Sequence, residues 1–337
     1  MGVTSKVKPN KRDHIASARQ RTVLSDSFFA PSEHTYGGSH EGMPRARQRL
    51  TTSGTEDLVG HKPTVRKAGL LAQGQLSSAL DLSQEAVLRN LKGQISQSQP
   101  LTQLQALIPT GQAVPVGDTS VFPWRAIAAL VVNFPGTSQN FIATGWLVGP
   151  YCIVTAGHVV FARSITYTGF ASQIRVLMGL NGWNSSPTSP PLISRRFAST
   201  QGWVQAGDPR CDYAMIALDQ PVGNDMGWFG FSAAEDGEIL ATVANLSGYP
   251  AQSPDPAVPN GHQWYASGQP DHLDDSFIYY NLGAVAGESG GALYRNDTGQ
   301  TIALGIHAGS QGVIGRAVRI TPAVSTTLQS WRSYVPS

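Results

Sequence analysis

The chain has 337 residues, which is enough for one large β domain plus a substantial additional segment. Apolar residues make up 41% of the chain and charged residues 14%, and the 36 Gly and 22 Pro favour short strands joined by turns over a helical bundle. The formal net charge is +2, and the longest apolar stretch, residues 126–132, is far too short to span a bilayer, so we expect no membrane partner.

The chain begins with a basic, turn-rich leader. Residues 1–67 contain 12 Lys and Arg against 6 Asp and Glu, scattered among Ser, Gly, His and Pro without interleaved aromatic side chains. This pattern predicts a largely disordered leader over residues 1–66 and no nucleic-acid partner. The first 25 residues lack the apolar run of roughly 7 to 15 residues that a secretory signal peptide contains.

Residues 67–112 are predicted to form a short helical pro-segment followed by a linker. Ser83 can cap a helix whose apolar residues recur at helical spacing, and Gly93 can end that helix. The following residues are rich in Gln, Pro, Gly and Ser, which is typical of a linker or cleavage region. We therefore expect a precursor that is processed between about Leu104 and Val116.

From residue 113 to residue 337 the pattern predicts one all-β domain. Short apolar runs alternate with turn signals, and strands in this number without long helices between them indicate closed or sandwiched antiparallel sheets. A hairpin is predicted at residues 296–299, and a final helix is predicted from the cap residue Thr321 to about Trp331. The predicted strands are residues 126–134, 141–148, 152–156, 173–180, 213–218, 238–244, 277–282, 291–295, 301–308 and 316–320.

Three short motifs carry residues suited to peptide-bond hydrolysis. TAGHVV ends a strand at His158, CDYAMIAL places Asp212 at the mouth of an apolar strand, and GESGG leaves Ser289 on a glycine-rich bend. A serine hydroxyl becomes a strong nucleophile beside a base whose tautomer a third group fixes. We therefore predict Ser289 as nucleophile, His158 as general base and Asp212 as the residue that orients the base. The backbone amides of Gly287 and Ser289 are predicted to form an oxyanion hole, and no cofactor or metal is expected.

Each motif alone also has a structural explanation, but their joint occurrence in the order His, Asp, Ser is far less frequent by chance. Over residues 108–331 the chain resembles the glutamyl-endopeptidase (V8-like) branch of bacterial chymotrypsin-like serine proteases. This resemblance implies a chymotrypsin-like double β-barrel with a C-terminal helix, and a monomeric serine endopeptidase that acts on protein or peptide substrates. The similar patches are FPWRAI, ATGWLVGPYCIVTAGHVV, DYAMIAL, SGYP, QWYASG, GESGGALY, GIHAG and AVRITPAV.

The resemblance also implies a substrate pocket that includes His307, Ala284 and Gly309. His307 matches the pocket histidine that helps to bind an acidic side chain before the cleaved bond, which predicts a preference for Glu. Ala284 stands where the family commonly has Thr or Ser, and Gly283 stands where trypsin-like enzymes carry the aspartate that selects Lys or Arg. Glu288 precedes the nucleophile, where a carboxylate can pair with a new amino terminus, although we expect an exposed loop acid.

Three further questions stay open at the level of sequence. Cys152 and Cys211 each lie near a predicted triad residue, and a disulfide between them and two buried free thiols fit equally well. The chain is either an active protease or a catalytically silent homologue that acts as a binding module. Its family resemblance predicts secretion, whereas the missing signal peptide leaves non-standard export or an intracellular location, including an effector protease addressed by residues 1–66.

Overall fold

The structure is a computed structural model that describes residues 22–24, 113–164, 167–297, 300–311 and 314–336. Its strands are β1 (Thr22–Leu24), β2 (Val114–Pro115), β3 (Ile127–Asn133), β4 (Asn140–Gly149), β5 (Cys152–Thr155), β6 (Phe161–Arg163), β7 (Thr168–Phe170), β8 (Gln173–Met178), β9 (Leu192–Ser194), β10 (Phe197–Thr200), β11 (Ala214–Ala217), β12 (Gly230–Phe231), β13 (Ala244–Gly248), β14 (Trp264–Gly268), β15 (His272–Leu273), β16 (Phe277–Tyr280), β17 (Ala292–Asp297), β18 (Gln300–Gln311) and β19 (Ile314–Arg319). Its α-helices are α1 (Gly157–Val160), α2 (Gly223–Met226), α3 (Asp236–Ala241) and α4 (Pro322–Arg332), and shorter helical turns span Trp124–Ala126, Gly202–Ala206 and Pro209–Cys211.

Two curled sheets form the body of the molecule. In the first sheet the strand order is β1-β10-β11-β5-β4-β3-β8-β9, and all of its pairs are antiparallel. In the second sheet the order is β15-β16-β19-β18-β17-β13-β14-β2, with β12 parallel beside β18. The register shifts within the β4/β5, β17/β18 and β18/β19 pairs, and such bulges bend strands and help a sheet to curl.

The strands follow from nearly continuous apolar runs. Six of the seven residues of β3 are buried, because β3 lies between β4 and β8 and has both of its faces covered. Phe229 joins the two sheets, since its ring centroid lies 5.5 Å from that of Trp146 on β4 and 5.2 Å from that of Tyr294 on β17. Aromatic contacts of this kind bury large apolar areas, so the two sheets share one core.

The C-terminal helix α4 confirms the predicted final helix. The Thr321 hydroxyl accepts a hydrogen bond from the amide of Val324 at 3.4 Å, and Pro322 occupies the first turn. Trp331 packs against Tyr213, which directly precedes β11 of the first sheet, with 5.7 Å between the ring centroids. None of the described helices combines the length and the apolar character that crossing a bilayer requires.

Most of the predicted strands are confirmed, but the strand predicted at residues 238–244 is wrong. This segment forms helix α3 and the start of β13 instead. Asp236 and Glu238 lie in the first helical turn, where negative charge interacts favourably with the helix dipole. Only Ile239 of α3 is buried, so the segment lacks the apolar face that a strand would need.

The predicted leader and pro-segment lie almost entirely outside the described residues, including the helix predicted between Ser83 and Gly93. The described part of the leader is Thr22–Leu24, which forms β1 and pairs antiparallel with β10 at the edge of the first sheet. This strand differs from the disorder expected there. The boundaries of the three predicted segments stay a prediction.

Candidate active site

Antiparallel pairing of β5 with β11 brings His158 and Asp212 together. Thr155, the last residue of β5, pairs with Ala214, the first residue of β11. His158 follows Thr155 in the single turn of α1, and Asp212 precedes Ala214. Since the end of one antiparallel strand meets the start of its partner, both side chains lie beyond the same end of the pair.

Asp212 contacts His158 through both carboxylate oxygens. Oδ1 accepts a hydrogen bond from the backbone amide of His158, with 2.8 Å between Oδ1 and the amide nitrogen. Oδ2 lies 2.8 Å from Nδ1 of the His158 ring. A carboxylate oxygen here acts as an acceptor, so Nδ1 carries the proton that is shared with it. The neutral ring therefore presents Nε2 as an acceptor, which is the atom that a general base needs.

The surroundings of Asp212 and His158 are tightly packed. A Cβ atom at Gly157 would lie 2.9 Å from the Trp203 ring and 3.0 Å from Oδ1 of Asp212, so only glycine leaves room for both. The Trp203 ring covers His158 edge-on, with 6.2 Å between the centroids. The hydroxyl of Thr200 on β10 donates to the carbonyl of Cys211 at 2.7 Å and fixes the segment that carries Asp212.

Burial and Asp212 have opposite effects on the protonation of His158. Burial lowers the pKa of His158, and the nearby positive charge of Arg316 also lowers it. The charge and the hydrogen bond of Asp212 outweigh both effects, so the pKa of His158 lies above its usual value of 6.5.

Ser289 lies in the loop that leads into β17 of the second sheet, and this loop is bonded to β4 of the first sheet. The Ser289 carbonyl accepts a hydrogen bond from the amide of Thr144 on β4 at 2.9 Å. The Thr144 hydroxyl donates to the carbonyl of Gly287 at 3.0 Å and accepts from the amide of Tyr249 at 2.9 Å. Gly290 lies so close to the strand that leads to His158 that a Cβ atom there would be 2.8 Å from the amide nitrogen of Ala156.

Several polar groups in and near the loop that carries Ser289 have no hydrogen-bond partner among the described residues. Among the described residues, the amides of Gly287 and Ser289 have no acceptor, and the Ser289 hydroxyl makes no hydrogen bond. Nε2 of His158 is also buried without a partner there. The structure therefore shows no direct bond between Ser289 and His158, and such bonds are often long before substrate binds. Gly287 has φ +101°, and a Cβ atom on it would lie 2.3 Å from the amide nitrogen of Ala251.

His307, which was predicted to line the pocket, is fully buried on β18 behind the Ser289 loop. Its carbonyl accepts a hydrogen bond from the amide of Gly290 at 2.7 Å, and its Nδ1 lies 2.5 Å from the hydroxyl of Tyr280. Burial, together with the positive charges of His158 and Arg316, lowers the pKa of His307 to about 3. The ring is therefore neutral at ordinary pH, and its Nε2 is buried without a partner among the described residues.

The other predicted pocket residues occupy different environments. Ala284 is buried in a small apolar cluster of the second sheet. Gly309 has φ +130°, and a Cβ atom on it would meet no other atom within 4 Å, so it faces open space.

A sequence model of the family described as Trypsin matches residues 122–334. The chain belongs to the trypsin-like serine protease family.

Two relatives are similar to the chain over about two thirds of its length. The glutamyl endopeptidase of Bacillus licheniformis is 29% identical to the protease over 244 residues, which are 68% of the protease and 70% of that protein. The extracellular metalloprotease of Bacillus subtilis (strain 168) is 30% identical over 231 residues, with the same two shares of 68% and 70%.

Solved structures confirm the predicted fold of the protease. A Glu endopeptidase in complex with MPD has a TM-score of 0.59 at 24% identity and covers 68% of the protease and 100% of its own chain. The protease Anisep from Arthrobacter nicotinovorans has a TM-score of 0.52 at 16% identity, with 66% and 99% of the two chains covered. The all-β chymotrypsin-like fold with a C-terminal helix is therefore confirmed, as is the resemblance to the glutamyl-endopeptidase branch.

The structure decides one alternative that the sequence left open, and it corrects one expectation. Cys152 and Cys211 are both buried and form no disulfide, so of the two alternatives the structure shows the pair of buried thiols. Cys152 pairs with Ala217 at one end of β11, whereas Cys211 precedes the other end. The strand alone spans about 10 Å, more than the ~7 Å that a disulfide tolerates between Cα atoms.

The expectation of an exposed loop acid at Glu288 is wrong, because Glu288 is only 4% exposed. Its Oε2 accepts a hydrogen bond from the amide of Val285 at 2.8 Å. Burial raises the pKa of Glu288 to about 7, and the bond from Val285 opposes this shift. Within the described part of the protease this carboxyl has no cationic partner.

Sequence reasoning missed Thr144, Trp203, Tyr280 and Arg316. Thr144 and Trp203 act through contacts with residues far along the chain, which no local pattern indicates. Tyr280 lies in a predicted strand and contacts His307 only after β16, β19 and β18 align. Arg316 carried one signal, since it is a charged residue at the start of a predicted strand in an apolar context.

Proposed function

We propose that the protease cleaves internal peptide bonds with Ser289 as nucleophile, His158 as general base and Asp212 as the orienting acid. We further propose that it prefers an acidic side chain, Glu first, before the cleaved bond. The observation that carries the first proposal is the doubly bonded Asp212 and His158 pair, whose Nε2 is buried and has no partner among the described residues. A monomer acting on protein or peptide substrates is the simplest form of this proposal.

In the proposed reaction, His158 takes the Ser289 proton through Nε2 while Oγ forms a bond with the peptide carbonyl carbon. His158 then gives this proton to the leaving amine as the C–N bond breaks, which leaves an acyl-enzyme. A water molecule, deprotonated by His158, hydrolyses the ester and restores the Ser289 hydroxyl. Asp212 stabilises the imidazolium in each half of the reaction.

The two amides without acceptors support an oxyanion hole at Gly287 and Ser289. Negative charge develops on the carbonyl oxygen during attack, and two backbone N–H donors stabilise it without reorganisation. Losing one such donor costs roughly 10² to 10³ in rate in enzymes of this kind. The hydrogen bonds of Thr144 hold this loop in place before substrate binds.

His307 supports the preference for an acidic side chain. Burial raises the pKa of Tyr280, so its hydroxyl keeps its proton and donates to Nδ1 of His307. A neutral imidazole that accepts at Nδ1 carries its own proton at Nε2. This N–H group has no partner in the described part of the chain and therefore suits an incoming carboxylate.

Replacement of Ser289 by Ala tests the nucleophile. We expect Ser289→Ala to abolish peptide hydrolysis and labelling by a fluorophosphonate, with an unchanged circular dichroism spectrum. Ser325→Ala is a matched control, because Ser325 is also buried but lies on α4. Labelling that survives in Ser289→Ala would refute this nucleophile, and an unlabelled folded wild type would favour a catalytically silent binding module.

We propose that the protease is made as a precursor and secreted, as the relative named extracellular metalloprotease suggests. The processing site then lies before residue 113, because β2 pairs with β14 and the amide of Val116 donates to the carbonyl of Gln263 at 2.8 Å. N-terminal sequencing of the active form tests this, and full activity with an intact Met1 contradicts it. Fusing residues 1–66 to a reporter tests whether the leader directs export.

A further inference from the structure

We propose that Arg316 is the cation that selects acidic substrates, by binding the substrate carboxylate beside Gly309. This inference rests on the proposed endopeptidase function and adds a specificity-determining residue to it. Arg316 lies on β19 between two strands of the second sheet, opposite Gly309 of β18 and opposite Tyr279 of β16. Gly309 faces open space, so a ligand can approach the arginine from that side.

The guanidinium group of Arg316 is held in place by an aromatic ring and has no acidic partner among the residues that the structure describes. Its Cζ atom lies 4.6 Å from the centroid of the Phe277 ring, and this contact supports the flat face of the group. Its Nε is buried and has no hydrogen-bond partner among the described residues. An unpaired buried N–H of a cation is costly, and a carboxylate ligand would remove that cost.

Two other partly buried arginines of the second sheet each have an acidic partner, unlike Arg316. Arg295 pairs with Glu238, with 2.5 Å between Nη1 and Oε1, and Arg319 pairs with Asp236, with 2.6 Å between Nη2 and Oδ1. Arg316 forms no ion pair with a described residue. Within the described part of the chain, two of these three arginines therefore have an acidic partner and Arg316 has none.

Arg316 also lies close to the site in the sheet, because it pairs with Gly309 and directly precedes Ala317, which pairs with His307. Its positive charge opposes protonation of His158, whose pKa is nevertheless raised by Asp212. Ala284 has no hydroxyl with which to bind a substrate carboxylate. A guanidinium group replaces such a donor effectively, because it offers two parallel N–H bonds and a full charge to one carboxylate.

Three peptides that differ only in Glu, Gln or Lys before the cleaved bond test this inference. For the wild type we expect a higher kcat/KM with Glu than with Gln. In Arg316→Gln this Glu-to-Gln ratio should fall by roughly 10- to 100-fold, the usual effect of a charged hydrogen bond. Arg316→Lys should restore part of the ratio, and Arg316→Glu should favour the Lys peptide.

Arg295→Gln is the matched control, because it removes a partly buried arginine from the same sheet, and it should leave the ratio unchanged. Fluorophosphonate labelling shows separately that the nucleophile is intact in each variant. A second readout is the pH profile with the Gln peptide, whose acidic limb should move to higher pH in Arg316→Gln as a positive charge near His158 is lost.

The outcomes separate this inference from the proposed function. A wild type that the fluorophosphonate does not label contradicts the proposed function itself. A labelled wild type with a Glu-to-Gln ratio near one overturns the role of Arg316 without any variant. Arg316→Gln that is labelled normally and keeps the wild-type ratio overturns it as well.

Discussion

The Asp212 carboxylate fixes both the backbone and the ring of His158, with Oδ1 2.8 Å from the amide nitrogen and Oδ2 2.8 Å from Nδ1. The first bond sets where the single turn of α1 begins, and the second sets the rotation and the tautomer of the ring. One buried side chain therefore determines the position of the proposed base and the direction in which its free nitrogen points.

Asp212→Asn is expected to lower kcat by roughly 10³- to 10⁴-fold while the protein stays folded. An amide can still accept from the His158 backbone, but its NH₂ group opposes the tautomer that leaves Nε2 free. Steady-state hydrolysis of a peptide, with labelling to count active sites, measures the effect. A loss below tenfold would contradict the orienting role of Asp212.

The acidic limb of kcat/KM is expected to have its midpoint above pH 6.5, because the pKa of His158 is raised and only the neutral ring accepts the Ser289 proton. Activity should therefore rise as pH increases through this midpoint. A peptide with Gln before the cut keeps the substrate uncharged during the measurement. Glu238→Gln should not move the midpoint, since Glu238 pairs with Arg295, and a wild-type midpoint below 6.5 would refute the account of His158.

Thr144→Val is expected to lower both stability and kcat. The substitution keeps the shape but removes the hydroxyl that bonds Gly287 and Tyr249, and loss of such a buried bond costs about 1 to 3 kcal/mol. Urea unfolding and steady-state kinetics measure the two effects. Thr301→Val is a suitable comparison, because its buried hydroxyl bonds Asn296 in the β17/β18 hairpin, so it should affect stability alone. Equal kcat values in both variants would argue against a role of Thr144 in holding the loop.

Glu288→Gln is expected to stabilise the protein at pH 8 more than at pH 5. The pKa of Glu288 is raised from 4.5 to about 7, so its contribution to stability is fully present below pH 4.5 and is lost as pH rises through 7. A neutral amide avoids this loss, which has an upper bound of about 3 kcal/mol. Urea unfolding in a Ser289→Ala background, which prevents self-digestion, measures the difference. An equal effect at the two pH values would show that the native carboxyl is not perturbed.

Sequence patterns predicted the parts of the fold that depend on local burial. The continuous apolar runs of β3, β4 and β11 appear directly in the sequence, and so do the cap and the first turn of α4. Short strands such as β9 and β14 were missed, because they carry polar residues and depend on pairing for their conformation. Helix α3 was misread since a run of Ile, Leu, Ala and Val suits a strand, although the acids at its start indicate a helix.

The site was predicted only where its chemistry is local. The residue types of the three motifs pointed to His158, Asp212 and Ser289, and the structure brings the first two into contact. The partners of these residues come from distant segments, and Arg316 is 158 positions from His158 in the chain. The register of the sheets determines which charged side chains lie near each other when they are far apart in the chain. The spacing of residues along one strand does not give this register.

The hydrogen bond from the Thr144 amide to the Ser289 carbonyl crosses between the two sheets, so the proposed nucleophile and its base are assembled from two halves. The rate of catalysis then depends on the packing of the two sheets against each other as well as on the chemical step. A ligand that bound between the two sheets, far from the substrate, would inactivate the enzyme without contacting any reacting atom. A covalent cross-link between the two sheets would protect the activity against mild denaturant.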